Sequence, residues 1–195
     1  MIITIARQHG SSGREIARAL SEALGIQCFD KEIVDEAAEN SSICKELISS
    51  FDEKRVSPFM LQTTQNPSMN YGLGLNIQVA SAQFDVIRKL ADQGDCIFVG
   101  RCADYILRER KDLTRVFIMG EQEDKIRCIM NRQNVSETEA KKKIKQVDKD
   151  RSSYYKYYTD QIWGESENYD LCINSSKVGV AGAVNVIKAY IENNK

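Results

Sequence analysis

The residue types best suited to chemistry occur together near the start of the chain, in a short loop rich in glycine and serine. An apolar run at residues 2–5 precedes this loop, and an amphipathic helix reaching Leu24 follows it. Such a loop wraps backbone N–H groups around phosphate, and the helix N-terminus adds partial positive charge. We therefore expect a nucleotide cofactor to bind here, through His9, Gly10, Ser11, Ser12, Gly13, Arg14 and Glu15.

This loop departs from the Walker A pattern G-x-x-x-x-G-K-[ST] at three positions. The second glycine of the pattern aligns on Gly13. Gln8 then replaces the first glycine, Arg14 the lysine, and Glu15 the hydroxyl residue that binds Mg²⁺. Arginine keeps the cation but presents a planar fork of donors, whereas a carboxylate repels phosphate unless a metal or a cation intervenes. A strand-to-helix turn without a ligand is the alternative interpretation.

Length and composition limit the classes of protein to which the chain can belong. Its 195 residues suffice for one core and a small lid, and 42% of them are hydrophobic, as in ordinary globular proteins. A net charge of -1 argues against nucleic-acid and membrane partners. No apolar run reaches the roughly 18 residues of a membrane span, and the N-terminus lacks a signal-peptide pattern. We expect a cytoplasmic protein whose partners are small molecules; its oligomeric state stays unknown.

The cysteines and the histidine give no sign of a metal or redox site. The six cysteines lie without C-x-x-C spacing, which favours reduced thiols over disulfides or zinc ligands. His9 is the single histidine, so a His-based metal site or catalytic triad is not expected. The metal ligands, if any, cannot be named from this pattern.

Apolar runs alternate with helical patterns along the whole chain. The runs predict strands at 2–5, 27–29, 96–99, 116–119 and 171–173. The first helix follows the glycine loop and is expected to end at residue 24. Further helices are expected at 30–39, 77–93, 121–132, 137–158 and 178–191, and one more is expected to start at Ser41-Ser42. Residues 52–76 hold both prolines and little periodicity, which indicates a long loop or insertion. The alternation predicts an α/β fold with a parallel sheet covered on both faces.

Charged residues follow two of the predicted strands, at the sheet edge where ligands bind in such folds. Arg101 follows the strand at 96–99 and suits a phosphate, whereas a surface arginine in a turn is the alternative. Asp104 lies one helical step further and is placed to orient Arg101 or a substrate. Asp30 follows the second strand beside the glycine loop, where it either binds an acceptor's sugar or a metal, or caps the next helix. Asn174-Ser175-Ser176, after the last strand, lies where an adenine base usually rests in such folds.

The helix expected at 137–158 carries many charges and then a run of tyrosines. Asp148 and Arg151 share one face of it with Tyr154 or Tyr155. A lid that closes over phosphates needs cations on one face, and Arg151 is the strongest candidate. A solvated helix with ordinary ion pairs is the alternative for the lysines, and the tyrosines are better explained by packing than by base stacking.

In order and spacing these segments resemble the cytidylate kinase-like family, a branch of the P-loop nucleoside monophosphate kinases. The matching stretches are ITIARQHGSSGREIARAL, CFDKEIVDEAA, CIFVGRCADYIL, VFIMG, VDKDRSSYYKYY and NYDLCINSSKVG. The resemblance implies a single three-layer α/β/α domain over 1–195 with a five-stranded parallel sheet. It also implies a monophosphate-binding insertion at 40–78 and a lid at 133–160. The implied activity is transfer of the ATP γ-phosphoryl group to CMP or dCMP with Mg²⁺.

The resemblance also assigns roles to individual residues. Arg14 would hold the ATP phosphates, Arg101 the acceptor's phosphate, and Arg151 the transferring group, and these three form the expected catalytic set. Arg127, on the helix that leads to the lid, would reach the donor nucleotide. Asp30, Asp104 and Asp148 are the expected substrate-binding carboxylates. In cytidylate kinases an aspartate precedes the Gly-Arg pair, whereas this chain has Val99.

Two other functions remain open from the sequence. A kinase of the same fold that uses a different small acceptor is one of them. The other is a regulator that binds nucleotide without catalysis, for which Glu15 at the Mg²⁺ position is the main support.

Overall fold

The computed structural model describes residues 1–41, 43–54 and 67–194. The strands are β1 (Ile2–Arg7), β2 (Gln27–Phe29), β3 (Cys96–Val99), β4 (Leu113–Met119) and β5 (Leu171–Asn174). The helices are α1 (Gly13–Leu24), α2 (Glu32–Glu39), α3 (Lys45–Phe51), α4 (Pro67–Gln93), α5 (Ala103–Ile106), α6 (Gln122–Gln133), α7 (Glu137–Thr159) and α8 (Ser175–Asn193).

The five strands form one sheet in the order β2-β3-β1-β4-β5, with every neighbouring pair parallel. Helices α1 and α8 pack on one face of this sheet, and α2 and α4 pack on the other. The predicted three-layer α/β/α fold with a five-stranded parallel sheet is confirmed. The central position of β1 matters for function, because the loop that follows it opens at the middle of the sheet edge.

The buried strands account for this arrangement. Every residue of β1 and β3 is buried, as expected for parallel strands with helices on both sides. Side chains alternate between the faces: Ile2 packs with Phe98 beneath α2 and α4, whereas Ile3 and Ile5 pack beneath α1 and α8. The apolar runs in the sequence therefore lie in the core that fixes the strand ends.

Four helix starts differ by two or more residues from the sequence-based predictions, and one of them is that of α3, which begins at Lys45 rather than at Ser41-Ser42. Helix α4 begins at Pro67, ten residues before the predicted start, because glycine and asparagine between 70 and 76 mask its helical pattern. Thus the predicted loop at 52–76 is wrong over its last ten residues, and 55–66 lie outside the described residues. Helix α2 begins at Glu32 rather than at residue 30. Helix α8 begins earlier than predicted, at Ser175, and Gly179 interrupts its helical dihedrals.

Two further predictions concern thiols and membranes. All six cysteines are free; Cys96 and Cys102 are buried, but Cys44 and Cys172 are exposed. Within the described ranges, none of the helices combines the length and the apolar character that a membrane span requires.

Candidate functional site

The loop between β1 and α1 has the dihedrals of a tight, glycine-dependent turn. Gly10 has φ of 85°, and Ser12 is in the left-handed region with φ of 56°. Gly13 lies so close to β1 that a Cβ on it would stand 2.5 Å from the Cβ of Arg7. The Ser11 hydroxyl donates to the carbonyl oxygens of Gln8 (2.9 Å) and Ile118 (3.1 Å), which ties the loop to the neighbouring strand. The loop is thereby fixed at the carboxyl edge of the sheet.

Hydrogen bonds of Gln8 connect this loop to the end of β4 and to Lys125 on α6. The Gln8 Oε1 accepts from the backbone N–H of Gly120 (3.2 Å) and from the Lys125 ammonium (3.1 Å). Lys125 is buried and lies 3.9 Å from the Asp148 carboxylate. A side-chain amide thus occupies the place of the first Walker glycine and anchors a cation beside the loop.

Arg14 extends from the first turn of α1 to Asp30 at the end of β2. Its Nε lies 2.7 Å from Asp30 Oδ2, and its Nη2 donates to Oδ1 at 3.3 Å. Asp30 also lies 3.4 Å from Arg101, and the residue before α2 is Lys31. The capping alternative for Asp30 is therefore wrong, because its carboxylate faces two guanidinium groups of the site instead.

Arg101 is almost fully buried, with 1% of its surface exposed. Its Nε and Nη2 donate to the two carboxylate oxygens of Asp52 at 2.8 and 2.7 Å, and Nη1 donates to the carbonyl of Val99. Burial opposes the charge, but Asp52, Glu53 and Asp30 outweigh it and raise the pKa of Arg101 above its usual value. The surface-turn alternative for this arginine is excluded.

Glu53 lies at the centre of the site. Its carboxylate accepts from Arg7 Nη1 (2.6 Å) and Nη2 (2.9 Å), from Arg151 Nε (3.3 Å) and from the Arg101 backbone N–H (3.0 Å). Burial alone would raise the pKa of Glu53, but Arg7 and Arg151 hold it well below the usual range. The carboxylate is therefore charged and joins the ends of β1 and β3 to helix α7.

Arg151 and Asp148, one turn apart on α7, contact the strand end and the loop. The Arg151 Nη1 donates to the carbonyl of Arg7 at 2.8 Å, and the Asp148 carboxylate accepts from the backbone N–H of His9 at 2.7 Å. Burial, followed by the charge of Arg7, lowers the pKa of Arg151 to about 10, so the guanidinium stays charged at neutral pH. Burial also raises the pKa of Asp148. Helix α7 thus faces the glycine loop with one cation and one carboxylate.

Two of the expected site residues, Asp104 and Arg127, have hydrogen-bond partners other than the arginines of this cluster. Asp104 accepts from the Tyr155 hydroxyl at 2.6 Å, and the side-chain donors of Arg101 reach Asp30, Asp52 and Val99 instead. Burial raises the pKa of Asp104 to about 6. Arg127 leaves 72% of its side chain exposed and pairs with Asp124 one turn earlier. The structure therefore brings together Arg14, Arg101 and Arg151. Asp104 lines a small cavity together with Arg101 and Arg151, whereas Arg127 lies apart from them.

Two openings border the loop. A cavity of about 90 Å³ lies between the loop, Arg132 of α6 and Arg151 of α7. A second opening of about 260 Å³ lies on the other side of Gly10 and is lined by Asp124, Cys128, Ser175 and Ser176. The second opening includes the segment at which we expect the adenine base.

Glu15 offers an oxygen that suits a divalent cation. One carboxylate oxygen accepts from Arg132 at 2.7 Å, whereas Oε2 is buried and has no hydrogen-bond partner. The described part of the chain holds no group of three potential metal ligands. Mg²⁺ commonly binds through one or two carboxylates together with substrate phosphates and water, so one free oxygen beside the loop fits it.

Several residues of the site were missed from the sequence. Arg7 ends an otherwise apolar strand directly before the glycine loop, and that contrast was the available signal. Asp52 and Glu53 lie in a segment without periodicity, and nothing in the sequence relates them to arginines roughly 50 to 100 residues later. Gln8 and Lys125 carry no motif signal either.

The model of the cytidylate kinase-like family matches residues 2–177. The chain belongs to this family. A cytidylate kinase of Methanococcus vannielii is 26% identical over 201 residues, covering 98% of this chain and all of that protein. The P-loop kinase fold agrees with the strand order and with the loop after β1.

Solved structures extend the comparison. The crystal structure of an uncharacterized protein from Eubacterium ventriosum is 30% identical and matches with a TM-score of 0.76, covering 98% of both chains. Shikimate kinase from Bacteroides thetaiotaomicron matches with a TM-score of 0.57 over 98% of both chains, at 11% identity. The latter likeness concerns the fold alone. This chain is thus a member of a kinase family that implies ATP and typically Mg²⁺.

Proposed function

We propose that this protein transfers the γ-phosphoryl group of ATP to CMP or dCMP. The observation that carries the proposal is the convergence of four guanidinium groups at the edge of the sheet, next to the glycine loop. These groups belong to Arg7, Arg14, Arg101 and Arg151. Phosphoryl transfer needs mainly positioning and neutralisation of charge, and a set of arginines without a general base suits that demand.

Arg14, Arg101 and Arg151 have distinct roles in this proposal. The loop from His9 to Arg14 holds the donor phosphates through backbone N–H groups, and Lys125 adds a charge beside it. Arg101 binds the acceptor's phosphate, for which it must exchange its present carboxylate partners. Arg151, on α7, neutralises the charge that develops during transfer. Asp148 positions the loop through the N–H of His9.

Mg²⁺ would be held by the free Oε2 of Glu15, whose other oxygen is oriented by Arg132. When bound, the ion would offset charge on the transferring phosphoryl oxygens. A bound cation would also offset the repulsion between the Glu15 carboxylate and phosphate. Asp30 keeps Arg14 directed along the loop.

Two segments would complete the enzyme. Residues 40–78 would form the insertion that binds the monophosphate, and 133–160 the lid. Helix α7 supports the latter assignment, since Arg151 and Asp148 both contact the β1 end of the loop. Arg127 would contact the donor nucleotide from the middle of α6.

An ADP-release assay with ATP, Mg²⁺ and separate CMP, dCMP, UMP, AMP and GMP acceptors tests the proposal. We expect turnover with CMP or dCMP that is lost in Arg14→Ala. The exposed Arg88→Ala on α4, whose side chain is 55% exposed, is the matched control and should keep full activity. Turnover with a different acceptor alone would support kinase activity but contradict CMP or dCMP as the acceptor.

A regulator that binds nucleotide without catalysis is the second candidate. Glu15 favours it, because a carboxylate replaces the usual hydroxyl at the start of α1. In that case the assay would give no ADP with any acceptor, although ATP would still bind. Binding of ATP to the same protein sample, measured by calorimetry, separates this result from a failure of the site.

A further inference from the structure

Glu53 and Asp52 supply carboxylate partners to the three buried arginines around them. Glu53 pairs with Arg7 and Arg151, and Asp52 pairs bidentately with Arg101. The side chains of Arg7, Arg101 and Arg151 are 4%, 1% and 10% exposed. Buried guanidinium groups require anionic partners, and in this structure these partners come from the protein itself.

The donors around the Glu53 carboxylate are of the kind that would also bind a phosphoryl group. Its two oxygens accept four hydrogen bonds, from two guanidinium groups and from one backbone N–H at the end of β3. Planar bidentate pairing with arginine is equally suited to carboxylate and to phosphate. The Glu53 carboxylate also lies against Gly100, where a Cβ would stand 2.0 Å from Oε1.

The backbone of Glu53 has a conformation that residues other than glycine rarely adopt. Glu53 has φ of 51°, in the left-handed region that favours glycine. It follows the short helix α3, and the Lys54 N–H returns to the carbonyl of Phe51 at 3.1 Å. A residue held in this conformation by ion pairs is free to leave it when those ion pairs are replaced.

We propose that the Glu53 carboxylate, assisted by Asp52, is a built-in competitor that substrate phosphoryl groups displace from Arg7, Arg101 and Arg151. The inference rests on the proposed function, since it needs phosphate to bind at the same edge of the sheet. Binding of phosphates would then be coupled to release of the turn after α3. The arginines have anionic partners in both states, first carboxylates and then phosphoryl oxygens.

The test uses inorganic tripolyphosphate as probe and calorimetry at fixed ionic strength as the measurement. Glu53→Gln keeps the shape of the side chain and removes the competing charge, so we expect it to bind the probe about tenfold more tightly than the wild type. Glu46→Gln, on the exposed surface of α3, changes the net charge equally and should bind like the wild type. Equal or weaker binding by Glu53→Gln would mean that Glu53 is a fixed scaffold, and would overturn the inference.

Hydrogen–deuterium exchange on the wild type gives a second measurement that does not depend on the variant folding. Tripolyphosphate should increase exchange in the peptide 48–54 if Glu53 is displaced. Decreased or unchanged exchange would contradict displacement. If neither the wild type nor the variants bind the probe, the proposed function and this inference both fail, whereas binding without an effect of Glu53 overturns the inference alone.

Discussion

At the scale of single residues, the site is built from arginines that ordinary sequence patterns treat as surface residues. Arg7 is 3% exposed, and its two terminal nitrogens lie 2.6 and 2.9 Å from Glu53. Loss of one partner from a buried ion pair leaves a charge without compensation, which costs more than the pair itself contributes. The arginines therefore have a structural role besides the proposed chemical one.

Replacing Arg7 by methionine should destabilise the fold by about 3 kcal/mol, because Glu53 keeps only part of its compensation. Urea unfolding monitored by circular dichroism measures the free energy of unfolding. Arg88→Met, which removes an exposed pair with Asp85, should change it by about 0.5 kcal/mol or less. Equal effects of the two substitutions would contradict the role given to Glu53.

His9 should be neutral at physiological pH. Burial, followed by the charges of Arg151 and Arg132, lowers the pKa of His9 to about 4. The imidazole is the only one in the chain, so NMR gives a single titrating signal. We expect a midpoint near 4 that moves upward in Arg151→Ala. Since the folded state resists protonation, the contribution of His9 to stability should fall as the pH drops from 6.5 toward 4. A midpoint near 6.5 would contradict the placement of His9 among arginines.

Much of the site was predictable residue by residue, but the partners were not. Arg14, Arg101 and Arg151 were expected from a loop motif, a strand end and a helix face, and the structure brings them to one edge. Their carboxylate partners Asp52 and Glu53 were not expected, since ion pairs between distant segments depend on tertiary packing.

At the scale of elements, helix α7 carries the most complete local signal. Ser136 accepts from the Glu139 N–H, and the Glu139 carboxylate accepts from the Ser136 N–H, which together form a capping box. Ser136→Ala should lower the free energy of unfolding by about 1 kcal/mol. Thr138→Ala in the same exposed turn is the control, with an expected change of about 0.5 kcal/mol or less. Urea unfolding measures both changes. Equal losses would show that the capping box adds nothing to the free energy of unfolding.

The strands were predicted well and the insertion poorly, for a physical reason. Strands such as β3 are buried on both faces, so their apolar runs are visible without knowledge of their neighbours. Helix α4 begins among residues with low helix propensity, and its start depends on packing rather than on local preference. Asp52 and Glu53 lie at the start of the segment 52–76, which was poorly predicted.

At the scale of the whole molecule, the buried Asp104 links stability to pH. Burial raises the pKa of Asp104 to about 6 in the folded protein, from an ordinary value of 3.8. A raised carboxyl pKa stabilises the fold only where the group is protonated. The contribution of Asp104 to the free energy of unfolding should therefore fall as the pH rises from about 4 to 6, by about 3 kcal/mol at about 1.4 kcal/mol per pKa unit.

The comparison with Asp104→Asn isolates this effect from the other carboxylates. Relative to that variant, the wild type should lose stability as the pH rises from 4 to 7 in urea-unfolding experiments. A difference that stays constant over this range would mean that Asp104 titrates normally, and that its contact with Tyr155 is not the buried one described here.

We propose that the arginines at the edge of the sheet promote phosphoryl transfer, and Arg151→Ala tests this role most directly. Single-variant kinetics with ATP, Mg²⁺ and CMP should show kcat lowered by about 10³-fold or more, with a modest change in ATP affinity. Lys141→Ala on the same helix, an exposed residue paired with Glu137, should keep the wild-type kcat. An unchanged kcat in Arg151→Ala would contradict the role of Arg151 in phosphoryl transfer.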